Sequence, residues 1–302
     1  MTDILTRAGA FVAIILLGYV LKRIGLFRES DFPVLSKLLM KVTFPAAIVS
    51  SFAGREVDPA MLSLAALAIG CGVVYMLLAA LVNAGASREQ TAFDILNLPG
   101  YNIGNFTMPF VQSFLGPTGI LATGIFDMGN AVICLGGAFG VASTVKSGAG
   151  FSAKRIVKAL VRSVPFMTYM TMLLLNLLKL QVPGFVMSVA GIGSNANAFM
   201  AMLMIGVGFK LSLDRSKLGR TLVILLCRYA VAAILALVCY FLLPFPLEVR
   251  QTMVILVFSP IGSAVPGFTA ELKGDVGLSC SINSLSILIS IITIVTLLVF
   301  LL

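Results

Sequence analysis

Asn97, Asn102 and Asn105 stand in an otherwise apolar stretch, residues 95–112, together with Pro99, Gly100, Gly104 and Pro109. Proline lacks a backbone donor and glycine weakens helix, so this stretch releases backbone N–H and C=O groups that a continuous helix would pair. Released groups cannot face hydrocarbon; such a break must be buried in protein or line a wet cavity. A second interrupted stretch, 259–267, carries Pro260, Gly262, Ser263 and Pro266 in the other half of the chain. The N-terminus of a half-helix offers free N–H groups and partial positive charge, so two breaks brought together would suit a carboxylate or a zwitterion. Asn102, Asn105 and Thr107 from the first break, with Ser259, Ser263 and Thr269 from the second, are the expected polar lining. The plainer alternative is that these side chains only cap released backbone groups in a rigid scaffold.

Charges inside apolar segments are the next candidates, because burying them costs at least a few kcal/mol. Asp127 has Asn130 three residues on, and therefore on the same helical face. It could bind a coupling cation, carry a proton, or simply hydrogen-bond a neighbouring helix. Lys41, before Pro45, could be a counter-charge for an anionic solute or for Asp127, or could join a basic stripe with Lys37. Arg228 reads as a side chain that snorkels toward one membrane face, and Asp94 as an interfacial charge at a helix start. Thr43, Asn195, Asn197, Ser281, Asn283 and Ser284 are polar residues on other segments that could complete a cavity.

The elements that must position these residues are membrane helices. The chain has 302 residues, 59% hydrophobic and 11% charged, with a mean hydropathy of +1.08. That is too little charge to cover a soluble domain. Apolar runs of about 20 residues, each enough to span a bilayer core of about 30 Å, recur along it. Their flanks give ten segments, near 4–21, 32–52, 59–83, 91–115, 118–143, 155–178, 184–209, 218–243, 247–270 and 276–301. The expected fold class is an all-α polytopic membrane protein. The net charge of +9 resides mostly between segments, which removes the argument for nucleic-acid binding. Loops after odd-numbered segments carry 14 lysines and arginines, Lys210 among them, and the opposite side four. The positive-inside rule then puts the odd loops in the cytoplasm and both termini outside.

The halves also look related. Leu21-Lys22 and Leu178-Lys179, Gly104 and Gly262, and Gly116-x-x-Gly119 and Gly274-x-x-Gly277 recur at offsets of 157 or 158. Five segments per copy is odd, so the second copy must insert upside down, an inverted repeat. The expected organisation is residues 1–145, a cytoplasmic linker at 146–154, and residues 155–302. Five scattered cysteines and no histidine give no support to a disulfide, zinc or haem site, and the cysteines read as small buried hydrophobes. Residues 4–21 read as a first membrane helix rather than a cleavable signal.

Leu17-Gly18-Tyr19-Val20-Leu21-Lys22 with Gly25, Leu35-Ser36-Lys37-Leu38 with Thr43-Phe44-Pro45-Ala46, and the two Pro/Gly/Asn breaks resemble bacterial members of the auxin efflux carrier family. The resemblance spans essentially the whole chain and rests on the order and spacing of these elements. It implies a fold related to bile acid/sodium symporters, with helices 1, 2, 6 and 7 as a scaffold, helices 3–5 and 8–10 as a transport domain, and helices 4 and 9 crossed. It implies a small organic anion as substrate, malate- or malonate-like or auxin-like, and the plasma membrane of a bacterium as location. It carries substrate contact over to Asn102, Asn105, Pro109, Pro260 and Pro266; Ser263 stands where the family pattern suggests asparagine.

A secondary transporter working by alternating access is therefore the leading expectation. Its coupling ion would be a proton or sodium, its residues of interest Asp127, Asn130 and Lys41, and no cofactor is expected. A sodium-coupled symporter of the bile acid type, a channel and a sensor without flux are the alternatives. An intramembrane hydrolase lacks a histidine base and a Gly-x-Gly-Asp signature, and no P-loop exists to drive a pump. The expected partners are the organic anion and the lipid bilayer, with a second copy of the chain as a candidate.

Overall fold

The computed structural model describes residues 2–52, 55, 57–148, 150–209 and 215–302. Lys210, counted above among the cytoplasmic charges, and Ala149 of the linker lie outside them. The first half contains α1 (Thr2–Arg23), α2 (Phe32–Leu38), α3 (Phe44–Phe52), α4 (Ser63–Val82), α5 (Arg88–Asn97), α6 (Met108–Phe114), α7 (Gly116–Val132) and α8 (Ala138–Ser147). The second contains α9 (Ala153–Arg162), α10 (Val164–Leu177), α11 (Gly184–Gly208), α12 (Leu218–Leu242), α13 (Leu247–Val257), α14 (Val265–Glu271) and α15 (Val276–Leu301). Wide π turns at Leu39–Thr43, Ile103–Thr107 and Ile133–Gly137 join α2 to α3, lead into α6, and join α7 to α8. The molecule is an all-α polytopic membrane protein.

Among the described residues seven helical spans are long and apolar enough to cross a membrane, and α9 with α10 makes an eighth that is bent by 80°. The remaining two of the ten expected segments are each broken into two helices too short to cross alone: α5 with α6, and α13 with α14. The breaks fall where proline and glycine place them. Gly100 takes φ +83°, a left-handed conformation that an L side chain rarely adopts. Pro109 and Pro266 sit in the first turns of α6 and α14, where a missing N–H costs nothing.

Three features differ from expectation. The fourth segment begins earlier, because Ser87 Oγ caps α5 by accepting from the Gln90 N–H. Asp94 is therefore not a helix-start charge: it is buried and bonded to Arg220 and Asn83. The linker is shorter than 146–154, because α8 runs to Ser147, where Gly148 ends it at φ +68°, and Ser152 caps α9. The sixth segment is not one rod, since Ser163 is extended and caps α10, and Pro165 follows it.

Packing divides the helices into two groups. α11 lies along α1 and α3, and α10 packs on α3. In the other group α4 packs on α7, α5 on α8, and α12 on α13 and α15. The α1–α11 approach depends on small residues. A Cβ on Gly206 would lie 2.0 Å from the Ile15 carbonyl oxygen, and one on Gly18 would lie 2.4 Å from that of Leu203. With lipid on the outside, close backbone contact of this kind is what holds helices together.

Candidate functional site

The two breaks meet, and positions 158 apart touch each other. The Asn102 backbone N–H donates to the Pro260 carbonyl at 2.9 Å, and Asn105 Nδ2 donates to Ser263 Oγ at 3.1 Å. Both pairs have the offset that relates Gly104 to Gly262 in the sequence. Thr107 and Ser259, fully buried, join by a 2.6 Å hydroxyl–hydroxyl bond just behind them.

Each break is held by the helix that follows it. Asn130 on α7 accepts from the Tyr101 N–H at 2.9 Å and donates to the Tyr101 carbonyl at 2.8 Å. Asn283 on α15 donates to the carbonyls of Ile261 and Gly262, while Ser286 Oγ accepts from the Ile261 N–H. Asn97 closes a ring with Thr269 and Ser279 that ties α5 to α14 and α15. The backbone groups released by the prolines and glycines are thus satisfied by named side chains, as a buried break requires.

Arg228 is the largest departure from the sequence reading. It does not snorkel: it is 1% exposed and reaches from α12 into the crossing. Its guanidinium donates to the carbonyls of Leu98 and Gly100 in the first break and of Ser259 in the second. It also lies over the rings of Tyr75 and Tyr101, at 5.3 and 5.4 Å. Among the described residues no carboxylate pairs with it. The planar fork of arginine reaches several carbonyls at once, which the compact ammonium of lysine could not do. The available signal was a lone arginine in the otherwise apolar run 221–243.

In front of the crossing lies a cavity of about 160 Å³, room for several waters or one small solute. Asn102, Asn105, Asp127, Asn130, Tyr169 and Ser263 line it. Asp127 Oδ1 accepts from Asn130 Nδ2 at 2.9 Å. Asn105 Oδ1 and Tyr169 Oη are buried without a hydrogen-bond partner, and neither Asn102's amide nor Ser263's proton has an acceptor among the described residues. Tyr169 carried no sequence signal, being one tyrosine in an apolar helix.

Other expected site residues lie elsewhere. Lys41 is exposed and does not reach the cavity, because the π turn at Leu39–Thr43 turns Met40 and Phe44 toward it instead. Asn195 is exposed on α11. Asn197, two residues on and hence on another face, is buried between Thr43 and Gln112, with bonds of 3.1 and 3.0 Å. Thr107, Pro109, Ser259 and Pro260 are buried in the crossing behind the lining, Pro266 is half-buried in the first turn of α14, and Asn283 supports the second break from behind.

The chain matches the family described as membrane transport protein over residues 8–149. That span covers the first break with Asn102 and Asn105, and Asp127 with Asn130; the second break lies beyond it. No curated protein matches the chain.

Proposed function

We propose that the chain is a transporter of the auxin efflux carrier type, a reading that the match of residues 8–149 to the membrane transport protein family supports, and that it carries a small mono- or dicarboxylate across the membrane by alternating access, with the solute seated in the cavity at the helix crossing. One observation carries this reading. Arg228 is a buried positive charge met by three carbonyls and two tyrosine rings and, among the described residues, by no carboxylate, and the cavity at the same crossing is lined by unused donors of Asn102, Ser263 and Tyr169. Fixed donors and an unneutralised cation in a low-dielectric site favour an anion.

Asp127 would repel that anion when ionised. A proton or sodium ion on Asp127 removes the repulsion, which gives a reason for cation and anion to travel together. The helices around α11, namely α1 to α3, α10 and α11, would be the scaffold, and the group holding both breaks the moving part. The polar bonds that tie the breaks to α7, α12 and α15 support motion of that group as one body.

The test is counterflow in proteoliposomes loaded with unlabelled malonate or malate. A carrier accumulates external radiolabelled acid transiently above equilibrium. Simple equilibration would make the protein a channel, and saturable binding without flux would make it a sensor. Either result overturns the proposal.

A further inference from the structure

We propose that α9 is a membrane-surface helix that holds anionic phospholipid headgroups of the leaflet it lies against. Its sequence divides into three faces at 100° per residue. Ile156 is buried against Gly136 in the π turn of the neighbouring helix. Val157 and Val161, one turn apart, are 57% and 59% exposed. Lys154, Lys158 and Arg162, at i, i+4 and i+8, form a basic stripe beside the valines and have no ion-pair partner among the described residues. An exposed apolar stripe next to a basic stripe is the pattern of a helix lying in a membrane interface. Arg155, the fourth basic residue, is engaged within the protein. It pairs with Glu271 at 2.7 Å and covers the Phe139 ring at 4.0 Å.

Geometry places this helix at the right depth. The 80° bend after Arg162 turns α9 nearly into the membrane plane if α10 runs across it. α10 has only 14 residues, a rise of about 21 Å against a hydrocarbon core of about 30 Å. With Lys179 at the far end of α10, α9 must therefore sit at the inner rim of the core. There Val157 and Val161 meet acyl chains, and the longer basic side chains extend to headgroup phosphates. The elbow, Ser163 and Pro165, is also part of the cavity wall, so the depth of α9 bears on the site.

The chain contains no tryptophan, so a single Val161→Trp substitution gives an unambiguous reporter. The full protein is placed in phosphatidylcholine nanodiscs containing equal mole fractions of brominated phosphatidylglycerol or brominated phosphatidylcholine. Quenching by the anionic lipid is expected to exceed that by the neutral lipid at least about five-fold, the ratio one lysine near the surface supplies. Lys154→Gln, Lys158→Gln and Arg162→Gln together should bring the ratio to about one, and Val157→Trp should repeat the result one turn away. Equal quenching by the two lipids with the charges intact would overturn the proposal. So would quenching by aqueous iodide in place of lipid. The measurement uses no transported solute, so its outcome is independent of the carrier reading.

Discussion

Arg228→Met keeps an unbranched stem as far as the position of the arginine Nε, removes the guanidinium beyond it, and leaves three carbonyls, those of Leu98, Gly100 and Ser259, without their donor. Hydrogen bonds to a charged group contribute about 1.5–3 kcal/mol each, so the three set a ceiling of about 9 kcal/mol. Burying a guanidinium costs several kcal/mol, which the substitution returns. The balance is a loss of about 3–5 kcal/mol, the range for breaking a buried charged cluster from one side. In a chain of this size that lowers the thermal midpoint by roughly 5–8 °C. Arg228→Lys keeps the charge but cannot span both breaks, and should fall between. Thermal unfolding of the purified protein in one detergent, read by circular dichroism, makes the comparison. If Arg228→Met unfolds within about 1 kcal/mol of the unmodified chain, the carbonyls find other partners and the crossing is not held as argued.

Asn105→Ala should weaken carboxylate binding by about 1–3 kcal/mol, roughly five- to 150-fold, with the fold intact; unchanged affinity by calorimetry would move the site elsewhere. Asp127→Asn should keep binding but lose the dependence of flux on a pH or sodium gradient, which proteoliposome uptake with imposed gradients measures. The Lys217 ammonium, 2.6 Å from Asp275, together with the Leu278 N–H holds that carboxyl below the usual range. Its folded value is the lower one, so the stabilisation is present above about pH 4 and fades as pH falls through the folded value. The pair is more than a third exposed, so Asp275→Asn should cost under about 1 kcal/mol at pH 7, and the two melting curves should converge in acid.

The breaks were legible because proline and glycine act locally. Pro99, Gly100, Pro260 and Pro266 interrupt helix whatever surrounds them, and the asparagines beside the first break and the serines in the second announce where the released groups go. Arg228 was misread because position along a helix gives depth but not direction. Whether a lone arginine reaches lipid headgroups or folds inward depends on carbonyls supplied 130 residues earlier, which one segment cannot display. Lys41 failed in the opposite sense, since the π turn at Leu39–Thr43 shifts the facing that regular helix would give. The bend in the sixth segment was readable in hindsight. Ser163 before Pro165 is a capping pattern, and four basic residues in ten seldom belong inside a bilayer.

Because one guanidinium serves carbonyls from both interrupted helices, the two interruptions cannot come undone separately. Loosening either one strands a charge that still binds the other. A membrane carrier has a particular need for this. An opening of one half while the other side is open would leave a thread of water through the cavity, along which protons could short-circuit any gradient that drove such a carrier. A shared tie makes such partial openings costly and leaves movement of the whole crossing, with its bonds intact, as the cheaper path. In a carrier of the kind proposed, the same bond set that completes the fold would also act as insulation against leak.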